Sequence, residues 1–231
     1  MRLFFGGSFD PVHVGHLLVA RDVKEALGFE KVIFLPAFQA PLKEPHLASP
    51  QDRLTMLKLA IKGLEDFEVS TMEIKRGGIS YTVDTAEEIY KNFGERPFFL
   101  VGADSFLSLH LWKEPIKLLS LARFVVVDRD GKGKKVKDYV KENFSSLKEG
   151  TDFFLLSIRR IDVSSTEIRE RVKEGKSIKW MVPQEVEDYI LEKGLYKAKP
   201  IRHSPCTPLP NSFKRFLCII ISATLQHKAI N

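Results

Sequence analysis

An α/β fold, doubly wound around a parallel sheet, is predicted by three features of the sequence. Apolar runs of strand length alternate with amphipathic helical stretches from the start of the chain to about residue 196. The inner runs, KVIFLP at Lys31–Pro36, PFFLV at 97–101 and RFVVVD at Arg123–Asp128, are apolar at consecutive positions, as strands covered on both faces must be. The first strand also runs directly into a glycine turn and then a helix, the joint at which such sheets bind their ligands.

In chain order, residues 2–5 form the first strand, and Val14–Leu27 is an amphipathic helix closed by Gly28. Lys31–Pro36 is the second strand, followed by a proline-rich loop over 37–48. Ser49-Pro50-Gln51-Asp52 is a helix start: an N-cap serine, proline in the first helical position and an acid in the first turn. That helix is expected to reach about Gly63. Residues 67–71 form a short strand and Thr82–Phe93 a helix, and 97–101, Arg123–Asp128 and 152–157 complete the strands. Residues 131–135 (GKGKK) are expected to be a solvated turn. Ser164-x-x-Glu167 is a capping box opening a helix that ends at Gly175, and 183–193 is a last helix closed by Gly194.

Of 231 residues, 1–199 are expected to form this domain, and 200–231 a disordered or loosely packed tail. Pro200, Pro205, Pro208 and Pro210 crowd the junction, and FLCIIISATL follows. The net charge of +6 suggests a polyanion partner, but Arg202, Lys214, Arg215 and Lys228 all sit in the tail, which has no acid after residue 200. That leaves +2 on the rest, so no nucleic-acid partner is expected. Both cysteines, Cys206 and Cys218, are also in the tail, leaving the domain without a thiol nucleophile or thiolate metal site. No apolar run has the eighteen or so residues of a membrane span, and the glycines near the start do not suit a signal peptide. A cytoplasmic protein with no membrane partner is expected. A homo-oligomer is compatible with the sequence, which leaves the number of subunits open.

The most informative segment is Gly6-Gly7-Ser8-Phe9-Asp10-Pro11-Val12-His13-Val14-Gly15-His16, between the first strand and the first helix. Glycines let backbone approach a ligand, and the free N–H groups of a helix start favour an anion. His13 and His16, three residues apart, share a face of the first turn, where imidazoles suit phosphate oxygens. Far downstream, Val163-Ser164-Ser165-Thr166-Glu167-Ile168-Arg169 couples a capped helix start to an arginine one turn on, a second anion-binding arrangement. Taken alone, each has a plainer reading: a glycine turn with two surface histidines, and a capped helix with a surface arginine.

The first segment resembles the (H/T)xGH signature of the nucleotidyltransferase superfamily, and the second is similar to its I-S-S-T-x-I-R motif. The resemblance implies a Rossmann-like nucleotidyltransferase fold over residues 1 to about 196. It implies that His13 contacts the ATP phosphates, that His16 stabilises the α-phosphate in the transition state, and that Gly7, Ser8, Phe9 and Gly15 line the ATP site. By the same resemblance Ser164, Ser165, Thr166 and Arg169 hold the β- and γ-phosphates.

Three more features are similar to the bacterial nicotinate mononucleotide adenylyltransferase family: Ser80-Tyr81-Thr82 before a helix, Val101-Gly102-Ala103-Asp104 after a strand, and Trp112. They imply that Tyr81 and Thr82 bind the nicotinate carboxylate through backbone N–H groups, that Trp112 stacks on the pyridine ring, and that Gly102 and Asp104 hold the adenylate ribose. As plain structure, Thr82 could cap a helix, Trp112 fill a core and Asp104 cap a turn. The loop after the second strand departs from the family's N-P-P-H-K: it reads Gln39-Ala40-Pro41-Leu42-Lys43. Lys43 keeps its cation for the triphosphate; Leu42 stands in place of a histidine, whose contact His46 could supply. The implied partners are ATP and nicotinate mononucleotide, and the implied cofactor is Mg2+ carried by ATP, with no protein metal site. The alternatives are a phosphopantetheine adenylyltransferase-like or cytidylyltransferase activity, or a nucleotide-binding regulator without turnover.

Overall fold

Six strands, β1 (Arg2–Gly7), β2 (Lys31–Pro36), β3 (Phe67–Val69), β4 (Phe98–Gly102), β5 (Arg123–Asp128) and β6 (Phe153–Ser157), lie in one sheet in the order β3-β2-β1-β4-β5-β6. All five pairings are parallel. The chain winds outward from β1 to one edge, returns to the middle at β4 and winds to the other edge. The reversal between β1 and β4 opens a crevice above the carboxyl ends of the strands. The computed structural model describes residues 1–41 and 44–198. The expectations for Leu42, Lys43 and the tail therefore lie outside the described residues.

The helices are α1 (Val14–Leu27), α2 (Pro50–Ala60), α3 (Met72–Arg76), α4 (Thr82–Phe93), α5 (Ala103–Phe106), α6 (Pro115–Leu121), α7 (Gly133–Asn143), α8 (Ser165–Lys173) and α9 (Gln184–Lys193). Alternate strand residues point to two separate cores. Leu3, Val32, Phe34, Val125 and Val127 pack with Val19 and Val23 of α1, Leu57 of α2, Ile168 of α8 and Ile190 of α9. Phe4, Ile33, Leu35, Phe124 and Val126 face the other way, onto Val83 and Ile89 of α4, Leu118 of α6 and Val140 of α7. Each central strand thus buries both of its faces, the reason its sequence is apolar throughout. Among the described residues no helix is long and apolar enough to cross a membrane.

The expected helices and strands are present, with shifted ends. β1 runs on to Gly7, and β3 stops at Val69. Residues 131–135 are a turn only as far as Lys132, because α7 begins at Gly133. The Asp128 carboxylate accepts from the backbone N–H of Asp130, Lys132 and Gly133, at 3.1, 2.9 and 2.7 Å, and so caps that helix from the end of β5. Val136, Tyr139 and Val140 form its buried stripe. Glycine and lysine density concealed a helix whose apolar positions have the proper spacing. The short helices α3, α5 and α6, and a 3-10 turn at Leu109–Leu111, were not foreseen. At α8, Ser164 Oγ accepts from Glu167 N at 3.1 Å, which forms the N-cap half of the expected box.

Candidate active site

The glycines of the β1–α1 joint have internal reasons. A Cβ on Gly7 would come within 3.0 Å of the Phe9 ring, and one on Gly15 within 2.9 Å of the His13 ring. Phe9 takes a left-handed backbone, φ 48°, which costs a bulky residue about 1–2 kcal/mol. Its ring meets Phe5, Phe34 and His16 edge-on at 5.0–5.6 Å. Burying that ring contributes roughly 1.5–3 kcal/mol, enough to offset the strain. Phe9 is therefore a core residue, and what it offers a ligand is backbone. The Ser8 hydroxyl is buried with no hydrogen-bond partner among the described residues.

His13 N-caps α1 and stacks on His16 at 3.8 Å between ring centroids. The His13 backbone N–H donates to His16 Nδ1 at 3.2 Å. An Nδ1 that accepts leaves the proton of a neutral imidazole on Nε2, so His16 presents a donor there.

The two signatures meet through hydrogen bonds that cross more than 150 residues. Ser165 Oγ donates to Pro11 O at 2.8 Å, and Arg169 Nη1 donates to Asp10 O at 2.8 Å. Arg169 Nη2 also donates to Thr166 Oγ1 at 3.2 Å. The Ser165 proton is thus committed to the protein, and this serine can serve an anion through its backbone rather than its hydroxyl. Ser164 Oγ accepts from Glu167 N and keeps its own proton for a further partner.

Three residues that sequence reasoning missed hold this loop. Asp10, 5 % exposed, accepts from Leu47 N at 2.8 Å, Ala48 N at 3.1 Å and the Tyr196 hydroxyl at 2.7 Å. Arg53, fully buried, donates to Ser8 O at 2.7 Å, Ala37 O at 2.6 Å and Phe38 O at 3.0 Å. It straps the loop after β1 to the loop after β2. Arg53 could have been found, because it shares the register of Met56, Leu57 and Ala60 on the buried face of α2. An arginine on an apolar stripe needs buried partners. For Tyr196 the sequence carried no signal of its target.

On the other side of the crevice, Gly102 ends β4 and N-caps α5, and a Cβ there would meet nothing within 4 Å. Asp104 is largely exposed and ion-paired with Lys132 at 2.6 Å. Tyr81 N-caps α4, with Thr82 its first residue. Trp112 is brought to the same end of α4 by its neighbour Lys113, whose Nζ lies 4.6 Å from the Tyr81 ring centre and 3.0 Å from Asp84. The indole is half-buried against Phe124, and Nε1 donates to Ser108 Oγ at 3.3 Å. Trp112 therefore combines the core role with a partly open face. In the loop after β2, His46 Nε2 accepts from Ala40 N at 3.4 Å.

A cleft of about 360 Å3 lies beyond β5 and β6, lined by Arg129, Asp130, Arg160, Ile161, Asp162, Val163, Ser164 and Glu167. Arg129 belongs to neither of the two motif segments. Burial, with the positive charge of Arg129 added, pushes the His13 imidazole down from its ordinary value to about 4. His13 is therefore neutral near pH 7 rather than a cation. Among the described residues no three His, Cys, Asp or Glu side chains converge to hold a metal ion.

Comparison with known proteins agrees with this fold. The family model described as cytidylyltransferase-like matches residues 4–171. A protein of Aquifex aeolicus described as a probable nicotinate-nucleotide adenylyltransferase is 54% identical over 168 residues, 72% of this chain and 100% of that protein. One of Hydrogenobaculum sp. with the same description is 42% identical over 193 residues, 84% of this chain and 96% of its own. Among solved structures, the Plasmodium falciparum nicotinic acid mononucleotide adenylyltransferase complexed with NaAD shares the fold, with a TM-score of 0.69 at 18% identity. That likeness covers 84% of this chain and 96% of that one.

The depressed His13 value has a consequence for stability. Between about pH 6.5 and 4 the unfolded chain binds a proton at His13 that the folded chain does not, so stability falls as pH falls through that window. The loss is expected to reach roughly 3 kcal/mol at the acid end. Urea unfolding of the wild type and of His13→Gln at several pH values measures it as a wild-type curve steeper by that amount. Parallel curves would show that His13 is not buried in its neutral form.

Proposed function

We infer the reaction from kinship and geometry together: the chain belongs to the nicotinate-nucleotide adenylyltransferases of the cytidylyltransferase-like family. It transfers the adenylyl group of ATP to nicotinate mononucleotide, giving nicotinate adenine dinucleotide and pyrophosphate, a step in NAD biosynthesis. The observation that carries this reading is the joining of two anion-ready helix starts, at His13 and Ser164, by the Ser165–Pro11 and Arg169–Asp10 hydrogen bonds. They meet at the crevice where such folds bind nucleotides.

The acceptor phosphate is already ionised at neutral pH and needs no general base. One of its oxygens attacks the α-phosphorus of ATP, the bond to the bridging oxygen breaks, and pyrophosphate leaves with that electron pair. Catalysis reduces to alignment and to stabilising charge on the transferring and leaving groups. His16, held by the His13 N–H, donates from Nε2 to an α-phosphate oxygen as its charge grows. Neutral His13 hydrogen-bonds phosphate, and Lys43, Arg169 and Arg129 supply the positive charge. Backbone of Gly7, Ser8, Phe9, Gly15, Ser164, Ser165 and Thr166 lines the path of the triphosphate, while Gly102 and Asp104 take the ribose. Magnesium enters with ATP as part of the substrate, since it prefers water and phosphate oxygens. Tyr81 and Thr82 offer N–H groups to the nicotinate carboxylate, and Trp112 its open face to the pyridine ring. A cytoplasmic location belongs to the same reading, as does a catalytic domain that ends by residue 199.

Three measurements test it. Pyrophosphate release with ATP should require nicotinate mononucleotide, with nicotinamide mononucleotide at least about tenfold poorer in kcat/KM. An amide brings its own donors to N–H groups that want an acceptor. Equal efficiency on the two would refute the acceptor assignment.

His16→Ala should lower kcat about a hundredfold or more with little change in either KM, because the stabilised charge exists only in the transition state. A loss of only a few-fold would remove His16 from that role.

A chain ending at Lys199 should stay soluble, melt within a few degrees of the full chain and turn over normally. One ending at Lys193 deletes Tyr196 and its bond to Asp10, and should lose activity. If the longer truncation product fails as well, the domain boundary is wrong.

A further inference from the structure

Glu73 of α3 is a buried carboxylate that the chemistry above leaves unused. Thr85, fully buried one turn into α4, donates from Oγ1 to Glu73 Oε1 at 2.7 Å. The Ser80 side chain adds a further favourable polar interaction with the same carboxylate. Glu73 therefore grips the chain on both sides of Tyr81-Thr82, just before the pair and just after it. Arg76 closes the cluster, with Nη2 donating to Thr85 Oγ1 at 2.7 Å and Nη1 to Glu88 at 2.9 Å. Burial pushes the Glu73 carboxyl above its ordinary value, against the pull of Thr85, Arg76 and Ser80.

The network continues towards the phosphates. The Phe38 N–H donates to Ser80 Oγ at 2.9 Å, and the Ser80 N–H donates to Gln39 O at 2.9 Å. Phe38 O accepts from Arg53, which also holds Ser8 O. A run of polar contacts thus joins Glu73, beneath the Tyr81-Thr82 turn, to the loop before His13. A buried carboxylate must repay its desolvation through bonds of this kind, and a fully satisfied network fixes geometry more than it adds stability.

We propose that Glu73 is a positioning residue for acceptor selection, acting through Ser80 and Thr85 to aim the Tyr81-Thr82 backbone N–H groups at the acceptor's carboxylate. The proposal rests on the acceptor reading given above. Without the brace the turn still forms, but its N–H groups no longer converge, and the advantage of an acid over an amide shrinks. ATP, bound from other loops, is held as before.

The test measures kcat/KM for nicotinate and nicotinamide mononucleotide, and KM for ATP, in the wild type, Glu73→Ala and Ser80→Ala. Glu73→Ala is expected to lower the acid-to-amide ratio at least about tenfold while leaving KM for ATP within about twofold. Ser80→Ala cuts the brace from its other end, keeps the core filled, and should move the ratio the same way. It decides the matter if Glu73→Ala does not fold. A purely structural role would depress both acceptors in parallel. A ratio within twofold of wild type in the folded variants, against a wild type that prefers the acid, overturns this proposal alone. A wild type that adenylylates neither acceptor, or both alike, overturns the acceptor reading and this proposal with it.

Discussion

The Asp10 carboxylate receives the Leu47 and Ala48 N–H groups and the Tyr196 hydroxyl, while the Asp10 carbonyl receives Arg169. Three segments distant in sequence converge on one residue of the β1–α1 loop. A buried carboxylate left short of donors is costly, and so is a buried donor left without an acceptor. The arrangement is therefore close to all-or-none: the loop after β2, the start of α8 and the end of the domain reach their places together. Burial also pushes the Tyr196 hydroxyl well above its ordinary range, aided by the negative charge of Asp10, so this phenol remains a donor. Arg53 adds a second strap under the same loop through three backbone carbonyls. The β1–α1 loop is rigid because the Ser8, Asp10 and Pro11 carbonyls and the Asp10 carboxylate are already engaged.

That rigidity explains how the charge is laid out. A neutral His13 at the floor of the loop, with its ring over Gly15, avoids a cation in a poorly solvated place. The positive charges of Arg129, exposed, and Arg169, half-buried, stand nearer solvent instead, where neither is buried alone. The same logic governs Ser164, Ser165 and Thr166. One hydroxyl caps α8, one ties down Pro11 and one receives Arg169, which leaves the helix start aimed by side chains that are themselves held.

The proposed acceptor side is built on the opposite core and follows a different rule. Tyr81 and Trp112 pack at the edge of the cluster formed by α4, α6 and α7, joined by Lys113. The Tyr81-Thr82 turn is fixed from below by Glu73 rather than from within. The two sides share a single sheet, and a run through Arg53, Phe38 and Ser80 links one to the other.

The sequence by itself determined the parallel sheet, its two apolar layers and the starts of the helices that open at His13 and Ser164. Period, capping and turn chemistry are local properties, written within a few residues of where they act. His13, His16, Ser164 and Arg169 were legible because each belongs to a short string whose geometry follows from the helix it opens. Helix α7 was missed although Val136, Tyr139 and Val140 carry its stripe, because its first turn is glycine and lysine and its cap comes from Asp128. Only the tertiary structure decided what Asp10, Arg53, Glu73 and Tyr196 do, and that Gly7 and Gly15 serve neighbouring rings. Those residues act on partners as much as 186 positions away, and which buried polar groups meet is settled by packing, which no local pattern records.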